Sequence, residues 1–245
     1  MAVRAARELD DGDVVFVGIG LPNLACNLAR ATHAPNLVLI YESGAVGAQP
    51  DRLPVSIGDP SLVTGSLAVA SMVDVFQSYL QGGHIKVGFL GGAQVDRYGN
   101  INSTVIGTYA KPKVRLPGSG GACEIAIHAE RVVIVAPLSA RSFPAAVDFV
   151  TSPGQAGKYG TRRQLGLPGG GPLRVVTDVG ILAPAQSDGE LELIGLFPGV
   201  SVGDVKARVG WPLRVREPVE PIPPPSDREL YLLREVLDPG RLYLK

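Results

Sequence analysis

The chain has 245 residues, of which 45% are hydrophobic and 19% are charged, and its formal net charge is +0. This composition is typical of a folded globular protein and excludes a disordered chain. A chain of this length can bury one sizeable core. Because the sequence has no cluster of Lys and Arg that would neutralise phosphates, we expect no nucleic-acid partner.

The cysteines and histidines predict neither a disulfide framework nor a metal site. Cys26 lies in an apolar, helix-like segment and predicts a small buried hydrophobe, and two cysteines are too few for a disulfide framework. The sequence spacing of His33, His84 and His128 does not suit metal ligands. The N-terminus has no signal-peptide pattern, and no apolar run reaches the roughly 18–20 residues of a membrane span. We therefore expect a cytoplasmic protein that does not contact a membrane.

The first 90 residues alternate helical and strand patterns, which predicts a largely parallel sheet with right-handed crossovers. Strands are predicted over residues 14–17, 37–41 and 85–90, and helices over 2–9, from Pro22 onward and over 70–81. In the 70–81 helix, Met72, Val75, Phe76 and Tyr79 recur at helical spacing and predict an apolar face.

Turn residues and glycines organise the middle of the chain. Residues 93–102 predict a β-hairpin around a Tyr-Gly-Asn turn, and a glycine-rich loop over 117–124 leads into a short helix. A buried strand is predicted over 131–136. Two strand runs between residues 173 and 196 flank a turn at Asp188 and Gly189.

The C-terminal part predicts mainly structural elements. Ser201 and Ser226 each precede an acidic residue by three positions, which predicts capped helices over 201–209 and 226–236. Residues 218–225 contain five prolines and predict a polyproline-like spacer. The last helix carries leucines on one face and should dock on this chain or on a partner. We predict one α/β domain over 1–217, with 218–245 as spacer and docking helix of the same structural unit.

The end of the 37–41 strand carries the main candidate for chemistry. Glu42 follows the strand directly, and the small residues Ser43 and Gly44 come next. Ligands of open α/β sheets gather outside the carboxyl ends of the strands, where Glu42 is expected. A solvated loop glutamate is the alternative, because a single acid is a weak motif.

Two glycine-rich loops offer backbone N–H groups with little side-chain cover. Such groups stabilise oxyanions or bind phosphate, although glycines also simply make tight turns. These loops contain Gly91 and Gly92, and Gly118, Gly120, Gly121 and Ala122. Neither loop is a Walker motif. Residues 18–23 also lack the dinucleotide fingerprint, because Asn23 stands where a third glycine is needed.

A nucleophile-elbow pattern at residues 199–203 predicts a serine hydrolase at first sight. That fold places its catalytic histidine after the serine in the chain, and no histidine follows His128. Ser201 is better explained as a helix cap. A carboxylate such as Glu42 can instead attack an acyl-CoA thioester, provided that oxyanion donors are present and water is excluded.

Several motifs resemble the B (β) subunit of family I CoA-transferases, within the glutaconate CoA-transferase B-like branch. The most specific of these is the long segment 91–104, Gly-Gly-Ala-Gln-Val-Asp-Arg-Tyr-Gly-Asn-Ile-Asn-Ser-Thr. The other resembling segments are Gly-Ile-Gly-Leu-Pro at 18–22, Glu-Ser-Gly at 42–44, Pro-Gly-Ser-Gly-Gly-Ala at 117–122, Asp-Phe-Val-Thr-Ser-Pro-Gly at 148–154 and the helix start at 198–204.

The resemblance implies an open, mostly parallel α/β sheet flanked by helices, with an added β-hairpin and a C-terminal helix. It implies that Glu42 is the nucleophile and that residues 118–122 lie near the bound thioester. It also implies a separate A (α) subunit and a hetero-oligomer of A/B pairs. Coenzyme A is then a substrate, and no permanently bound cofactor is expected.

Three functions remain open from the sequence. The first is a CoA-transferase subunit that moves CoA between carboxylic acids through a glutamyl-CoA thioester. The second is an acyl-CoA hydrolase or ring-cleaving enzyme that uses Glu42 as a general base. Some relatives of the family have lost the glutamate and cleave ring ketones, so its retention favours the transferase. The third is a non-catalytic ligand-binding subunit, because a fold alone does not decide function.

Overall fold

The computed structural model describes residues 1–244. The chain forms two compact units, the first comprising residues 1–89 and 225–245 and the second residues 90–224. The division into residues 1–217 and 218–245 stays a prediction. No helix of the described residues is both long enough and apolar enough to cross a membrane.

The first unit contains a sheet with strand order β5-β1-β2-β3-β4. Strands β1, β2 and β5 are parallel, whereas β3 and β4 pair in antiparallel fashion. Its elements up to β5 are α1 (Ala2–Ala6), β1 (Val14–Phe16), α2 (Leu21–Thr32), β2 (Val38–Ile40), β3 (Ala45–Val46), a 3₁₀ turn (Pro60–Val63), β4 (Ala68–Val69), α3 (Met72–Asp74), a π-helix (Val75–Gln81) and β5 (Val87–Leu90).

The core of the first unit lies where α2 covers the sheet. Pro22 stands in the first turn of α2, as predicted, because its missing N–H would be unpaired there in any case. Leu24 and Leu28 follow at helical spacing and are fully buried, as is Cys26. Full burial of a leucine side chain contributes about 1.5–3 kcal/mol, so this apolar face accounts for the docking of α2.

The prediction of one regular α-helix over 70–81 is wrong. Ser71 and Asp74 form a capping box that starts α3 at Met72, and the chain continues as a π-helix from Val75. A π-helix repeats at a longer interval than an α-helix. The expected apolar face therefore does not form, since Met72 is 60% exposed while Val75 is buried.

The second unit contains a sheet with strand order β10-β13-β14-β15-β16 and three small two-stranded sheets. The predicted hairpin is confirmed, because β6 and β7 pair in antiparallel fashion. Its elements are β6 (Gln94–Val95), β7 (Ile101–Asn102), β8 (Val105–Gly107), β9 (Pro112–Arg115), α4 (Ala122–His128), β10 (Arg131–Val135), β11 (Ala156–Gly157), β12 (Gly160–Thr161), β13 (Pro172–Val176), β14 (Gly180–Pro184), β15 (Leu191–Leu196), α5 (Val202–Lys206) and β16 (Arg214–Pro221).

The region from 173 to 196 contains three strands, so the prediction of two is wrong. The chain reverses at Thr177, whose hydroxyl donates to the Gly180 carbonyl at 2.7 Å and accepts the Gly180 N–H at 3.0 Å. This turn divides an apparently continuous apolar run into β13 and β14. The turn predicted at Asp188 and Gly189 is confirmed between β14 and β15, with Gly189 at φ +75°.

The polyproline-like spacer predicted over 218–225 is wrong in its first half. Residues up to Pro221 belong to β16, which pairs in parallel with β15. Proline lacks a backbone N–H, but an edge strand such as β16 needs donors on one side only. Ile222 extends this pairing by donating its N–H to the Leu196 carbonyl at 2.8 Å.

The C-terminal helix docks on this chain. It comprises α6 (Asp227–Tyr231) and a π-helix (Leu232–Leu237), and the second part contacts α2. Leu233 is buried in this contact, and Arg7 binds Glu229 through two hydrogen bonds of 3.0 and 2.7 Å. The capping boxes predicted at Ser201 and Ser226 are both present.

Candidate active site

Glu42 lies in a tight turn at the carboxyl end of β2. The Gly44 N–H donates to the Tyr41 carbonyl at 2.9 Å, and the Tyr41 N–H donates to the Ala45 carbonyl at 3.0 Å. Glu42 is half-buried and Ser43 is exposed. Within residues 1–244 no group hydrogen-bonds to the Glu42 carboxylate. The side chain is therefore neither enclosed in the core nor engaged in an ion pair.

Tyr41 anchors the start of this turn. Its ring is fully buried, and its hydroxyl oxygen accepts a hydrogen bond of 2.6 Å from the side-chain amide of Asn23 on α2. Asn27 donates to the Asn23 side-chain oxygen at 3.0 Å and so fixes the amide. Burial raises the pKa of the Tyr41 phenol above its usual value, which keeps the group neutral. The residue before Glu42 is therefore held in one position.

Gly44 anchors the other end of the turn through contact with β4. Its φ is +107°, and a Cβ added there would lie 2.0 Å from the Ala70 carbonyl oxygen. The Ala70 N–H in turn donates to the Gly44 carbonyl at 2.9 Å. Only glycine fits this approach, because both the dihedral and the contact exclude a side chain. Gly44 thus fixes the geometry behind Glu42.

The loop after β1 reaches the same sheet edge, and the sequence analysis missed it as part of the site. Phe16 pairs with Ile40, and the Val17 N–H donates to the Ile40 carbonyl at 3.0 Å. Gly18 and Glu42 therefore begin their loops side by side. A Cβ added at Gly18 would meet nothing within 4 Å, so the space there is open. The available signal was the parallel pattern of the two strands, which brings both loops to one edge.

The second unit carries the two glycine-rich loops. Gly92 is required by packing, because an added Cβ would lie 2.3 Å from Ile101 Cγ2 and 3.0 Å from the Asn102 carbonyl oxygen. Gly91 is exposed, and a Cβ there would lie 3.2 Å from the Val135 carbonyl oxygen. The tight-packing interpretation therefore accounts for Gly92 without any ligand.

The loop over residues 118–122 has an open face. Gly118 and Gly120 adopt φ of +101° and +48°, and a Cβ at either position would meet nothing within 4 Å. The Gly118 N–H donates to the Ser103 carbonyl at 2.8 Å, and the Ala122 N–H donates to the Ser119 carbonyl at 3.0 Å. Two of the candidate amides are thus already paired within the unit.

The segment 91–104, which carries the most specific resemblance, is held by buried polar contacts. The Asn102 side-chain amide donates to Gln94 at 2.7 Å, and that of Asn100 donates to both oxygens of Asp96 at 3.1 and 3.0 Å. Burial raises the pKa of Asp96. These residue types are needed because buried polar groups require partners, so this motif maintains the hairpin.

The predicted residues are thus distributed over both units. Glu42, Ser43 and Gly44 lie together in the first unit, and Gly91, Gly92 and residues 118–122 lie in the second. Within the described chain, no group of three or more His, Cys, Asp or Glu side chains is arranged to hold a metal ion.

Comparisons with known proteins extend these observations to the whole chain. Residues 1–208 match the family model described as Coenzyme A transferase. The chain is 50% identical over 234 residues to the B subunit of 3-oxoadipate CoA-transferase from Pseudomonas knackmussii, covering 96% of this chain and 90% of that protein. It is 27% identical over 243 residues to the cholesterol ring-cleaving hydrolase IpdB subunit of Mycobacterium tuberculosis, covering 98% and 94%.

A third relative has a solved structure. The B subunit of glutaconate CoA-transferase from Acidaminococcus fermentans is 37% identical over 249 residues, covering 100% of this chain and 93% of that protein. The crystal structure of glutaconate coenzyme A-transferase from the same organism matches with a TM-score of 0.90 at 35% identity, covering 100% and 95%. This likeness confirms the predicted fold class. Since the family match spans most of the sequence, the chain belongs to the coenzyme A transferase family and is of the B type.

Proposed function

We propose that this CoA-transferase subunit uses Glu42 as the nucleophile that carries CoA from one carboxylic acid to another. The observation that supports this role is the half-buried carboxylate in a turn fixed by Tyr41 on one side and Gly44 on the other. A nucleophile held in one place spends less free energy on reaching the attack geometry. A solvated loop glutamate would need neither anchor.

The reaction proceeds by two acyl exchanges on one carboxylate. A Glu42 oxygen attacks the acyl carbon of acyl-CoA, the C–S bond breaks, and CoA leaves as a thiolate. The thiolate then attacks the Glu42 carbonyl carbon of the resulting anhydride, which releases the first acid and forms glutamyl-CoA. A second carboxylate repeats these steps in reverse and leaves with CoA, which regenerates Glu42.

Negative charge develops on an oxygen at each step and needs hydrogen-bond donors. We assign this role, or contact with the pantetheine arm of CoA, to the backbone around Gly91 and Gly92 and to the loop over 118–122. In that loop Gly120 and Gly121 are the preferred donors, because the Gly118 and Ala122 amides already donate to carbonyls. Ser43, exposed next to Glu42, is assigned a hydrogen bond to the reacting carboxylate.

The partner is an A (α) subunit, and the active form is a hetero-oligomer of A/B pairs. The names of the two transferase relatives, which are both B subunits, support this assignment. Their names also contain two dicarboxylates, 3-oxoadipate and glutaconate, and we propose a short dicarboxylic acid as the substrate class. Coenzyme A enters as part of the substrate. We place the reaction in the cytoplasm.

The second candidate is hydrolysis of an acyl-CoA or of a CoA-activated ring, with Glu42 as general base. The relative named as a ring-cleaving hydrolase, which aligns over nearly the whole chain, favours keeping it. The two reactions differ in their products. A transferase converts an added acceptor acid into a new acyl-CoA, whereas a hydrolase releases free CoA whether or not an acceptor is present.

The deciding experiment replaces Glu42 in the complex with the co-expressed A subunit. Glu42→Gln keeps the size of the side chain but removes the nucleophilic charge, so we expect kcat to fall on the order of 10³-fold or more while acyl-CoA still binds. Glu235→Gln, at an exposed position of the same unit, is the matched control and should retain full activity. Borohydride should trap a glutamyl-CoA thioester in the wild type only. Transfer at the wild-type rate by Glu42→Gln would overturn the assignment.

A further inference from the structure

The C-terminal segment, residues 238–244, is tightly ordered although it lies outside the family match at 1–208. Asp238 is 2% exposed, and its carboxylate accepts the N–H groups of Leu242 at 2.6 Å, Tyr243 at 2.9 Å and Leu244 at 2.8 Å. Its own N–H donates to the Leu233 carbonyl at 3.0 Å. Because one buried carboxylate pairs three consecutive amides, the segment is held in a single conformation.

Tyr243 projects from this segment and joins two loops of the first unit. Its hydroxyl donates to the Pro54 carbonyl oxygen, and the backbone N–H of Gly20 faces the same phenol oxygen. Burial raises the pKa of this phenol, so the hydroxyl stays protonated and remains a donor. One side chain thus bonds to a loop before the 3₁₀ turn and to the loop that follows β1.

Both loops are already stiff at their far ends. In the first, Asp59 accepts two hydrogen bonds from Arg52, at 2.7 and 2.8 Å, and one from the Val55 N–H at 2.9 Å. In the second, Gly20 has φ +90° and stands directly before α2. Tyr243 therefore supplies the contact that fixes the remaining freedom of these loops.

The second loop leads to the candidate nucleophile by two short routes. Its first residue, Gly18, begins beside Glu42 at the carboxyl edge of the sheet, because β1 and β2 are paired in register up to Phe16 and Ile40. Its last residue, Gly20, precedes the first turn of α2, and Asn23 in that turn holds Tyr41. A shift at Gly20 would therefore reach the turn that carries Glu42 from both sides.

From this geometry we infer that Tyr243 is a positioning residue for CoA transfer, which holds residues 18–20 and Pro54 in place at the sheet edge that carries Glu42. This inference rests on the proposed function. It assigns a role in the reaction to a segment that makes no direct contact with the nucleophile. The prediction is that loss of one hydroxyl slows the chemical step without weakening the binding of acyl-CoA.

The test uses Tyr243→Phe in the complex with the A subunit, with Tyr231→Phe as the matched control. Tyr231 is 61% exposed on α6, so its hydroxyl is expected to contribute nothing. A hydrogen bond of this kind corresponds to roughly 0.5–1.5 kcal/mol, which predicts a roughly two- to tenfold lower kcat for Tyr243→Phe. KM for acyl-CoA should stay within about twofold. Amide hydrogen exchange should accelerate at residues 18–23 and 52–59 only in this variant.

Asp238→Asn provides a second, independent variant. It weakens the order of the segment without touching Tyr243, so it should lower kcat in the same way. The double variant should lose no more than the larger single loss, because both changes break one contact chain.

The outcomes separate this inference from the proposed function. If Glu42→Gln abolishes transfer but Tyr243→Phe matches Tyr231→Phe in kcat and in exchange, the positioning role is overturned and the nucleophile stands. If the wild-type complex transfers no CoA, the proposed function fails. The exchange measurement then still decides whether Tyr243 holds the two loops, and unchanged exchange would overturn that contact as well.

Discussion

Gly44 offers the sharpest test of how the turn around Glu42 is built. In Gly44→Ala the new methyl group would lie 2.0 Å from the Ala70 carbonyl oxygen, at a residue whose φ is +107°. Two costs therefore combine. A side chain at positive φ costs about 1–2 kcal/mol, and pushing β4 away from a close contact costs about 1–3 kcal/mol.

The sum is a loss of roughly 2–5 kcal/mol in the free energy of unfolding. For a chain of this size that corresponds to a fall in Tm of roughly 4–20 °C. Because the turn must shift to admit the methyl group, we also expect kcat for CoA transfer to fall well beyond the loss of folded protein. Displacement of a reacting group by about 1 Å can cost on the order of 10²-fold in rate.

The matched control is Gly12→Ala. Gly12 also has a positive φ, +82°, but an added Cβ would meet nothing within 4 Å. It reports the dihedral cost alone, so the difference between the two variants isolates the contact with Ala70. Urea unfolding gives the stabilities, and a coupled assay of acyl-CoA formation gives kcat. Equal stabilities of the two variants, with wild-type kcat for Gly44→Ala, would refute the role of this contact.

Two further predictions concern charged side chains. Hydrogen bonds from Arg52, and then from backbone N–H groups, hold the pKa of Asp59 well below its usual range, so its contribution to stability is present above the unfolded pKa and is lost as pH falls through the folded one. The urea midpoint should therefore fall from about pH 4 downward, and Asp59→Asn should flatten that dependence; an unchanged slope would contradict the ion pair. In the second unit, Arg162 is 7% exposed and donates to the carbonyls of Gly169 at 3.0 Å and Ile127 at 3.1 Å. Arg162→Met should cost about 2–3 kcal/mol in thermal unfolding, whereas the exposed Arg163→Met should stay within about 0.5 kcal/mol; similar losses in both would show that burial is not the cause.

Much of the site was predictable because it depends on neighbours in the chain. An apolar strand that ends in Glu-Ser-Gly places Glu42 at a sheet edge, and the order of strands and helices predicts the parallel pairing that makes that edge functional. The hairpin over 93–102 and the capping boxes at Ser201 and Ser226 follow from turn and cap chemistry within a few residues. Each of these features is decided by short-range backbone hydrogen bonds.

The errors arose where local patterns competed with tertiary contacts. The helical spacing from Met72 to Tyr79 predicted one apolar face, but the π-helix from Val75 changes the period. Five prolines suggested an isolated spacer, but β15 offers a free edge with which residues up to Pro221 can pair. In both places the packing of distant elements outweighed the local preference.

The amino-acid sequence by itself determined the fold class, the family and the position of Glu42, because these depend on periodicity and on contiguous motifs. Only the tertiary structure decided why residue 44 must be glycine and why Tyr243 belongs near the site. The Ala70 carbonyl comes from another strand, and Pro54 stands 189 residues before Tyr243. Contacts between segments so far apart leave no local pattern, since they are set by how the chain packs and not by what adjoins each residue.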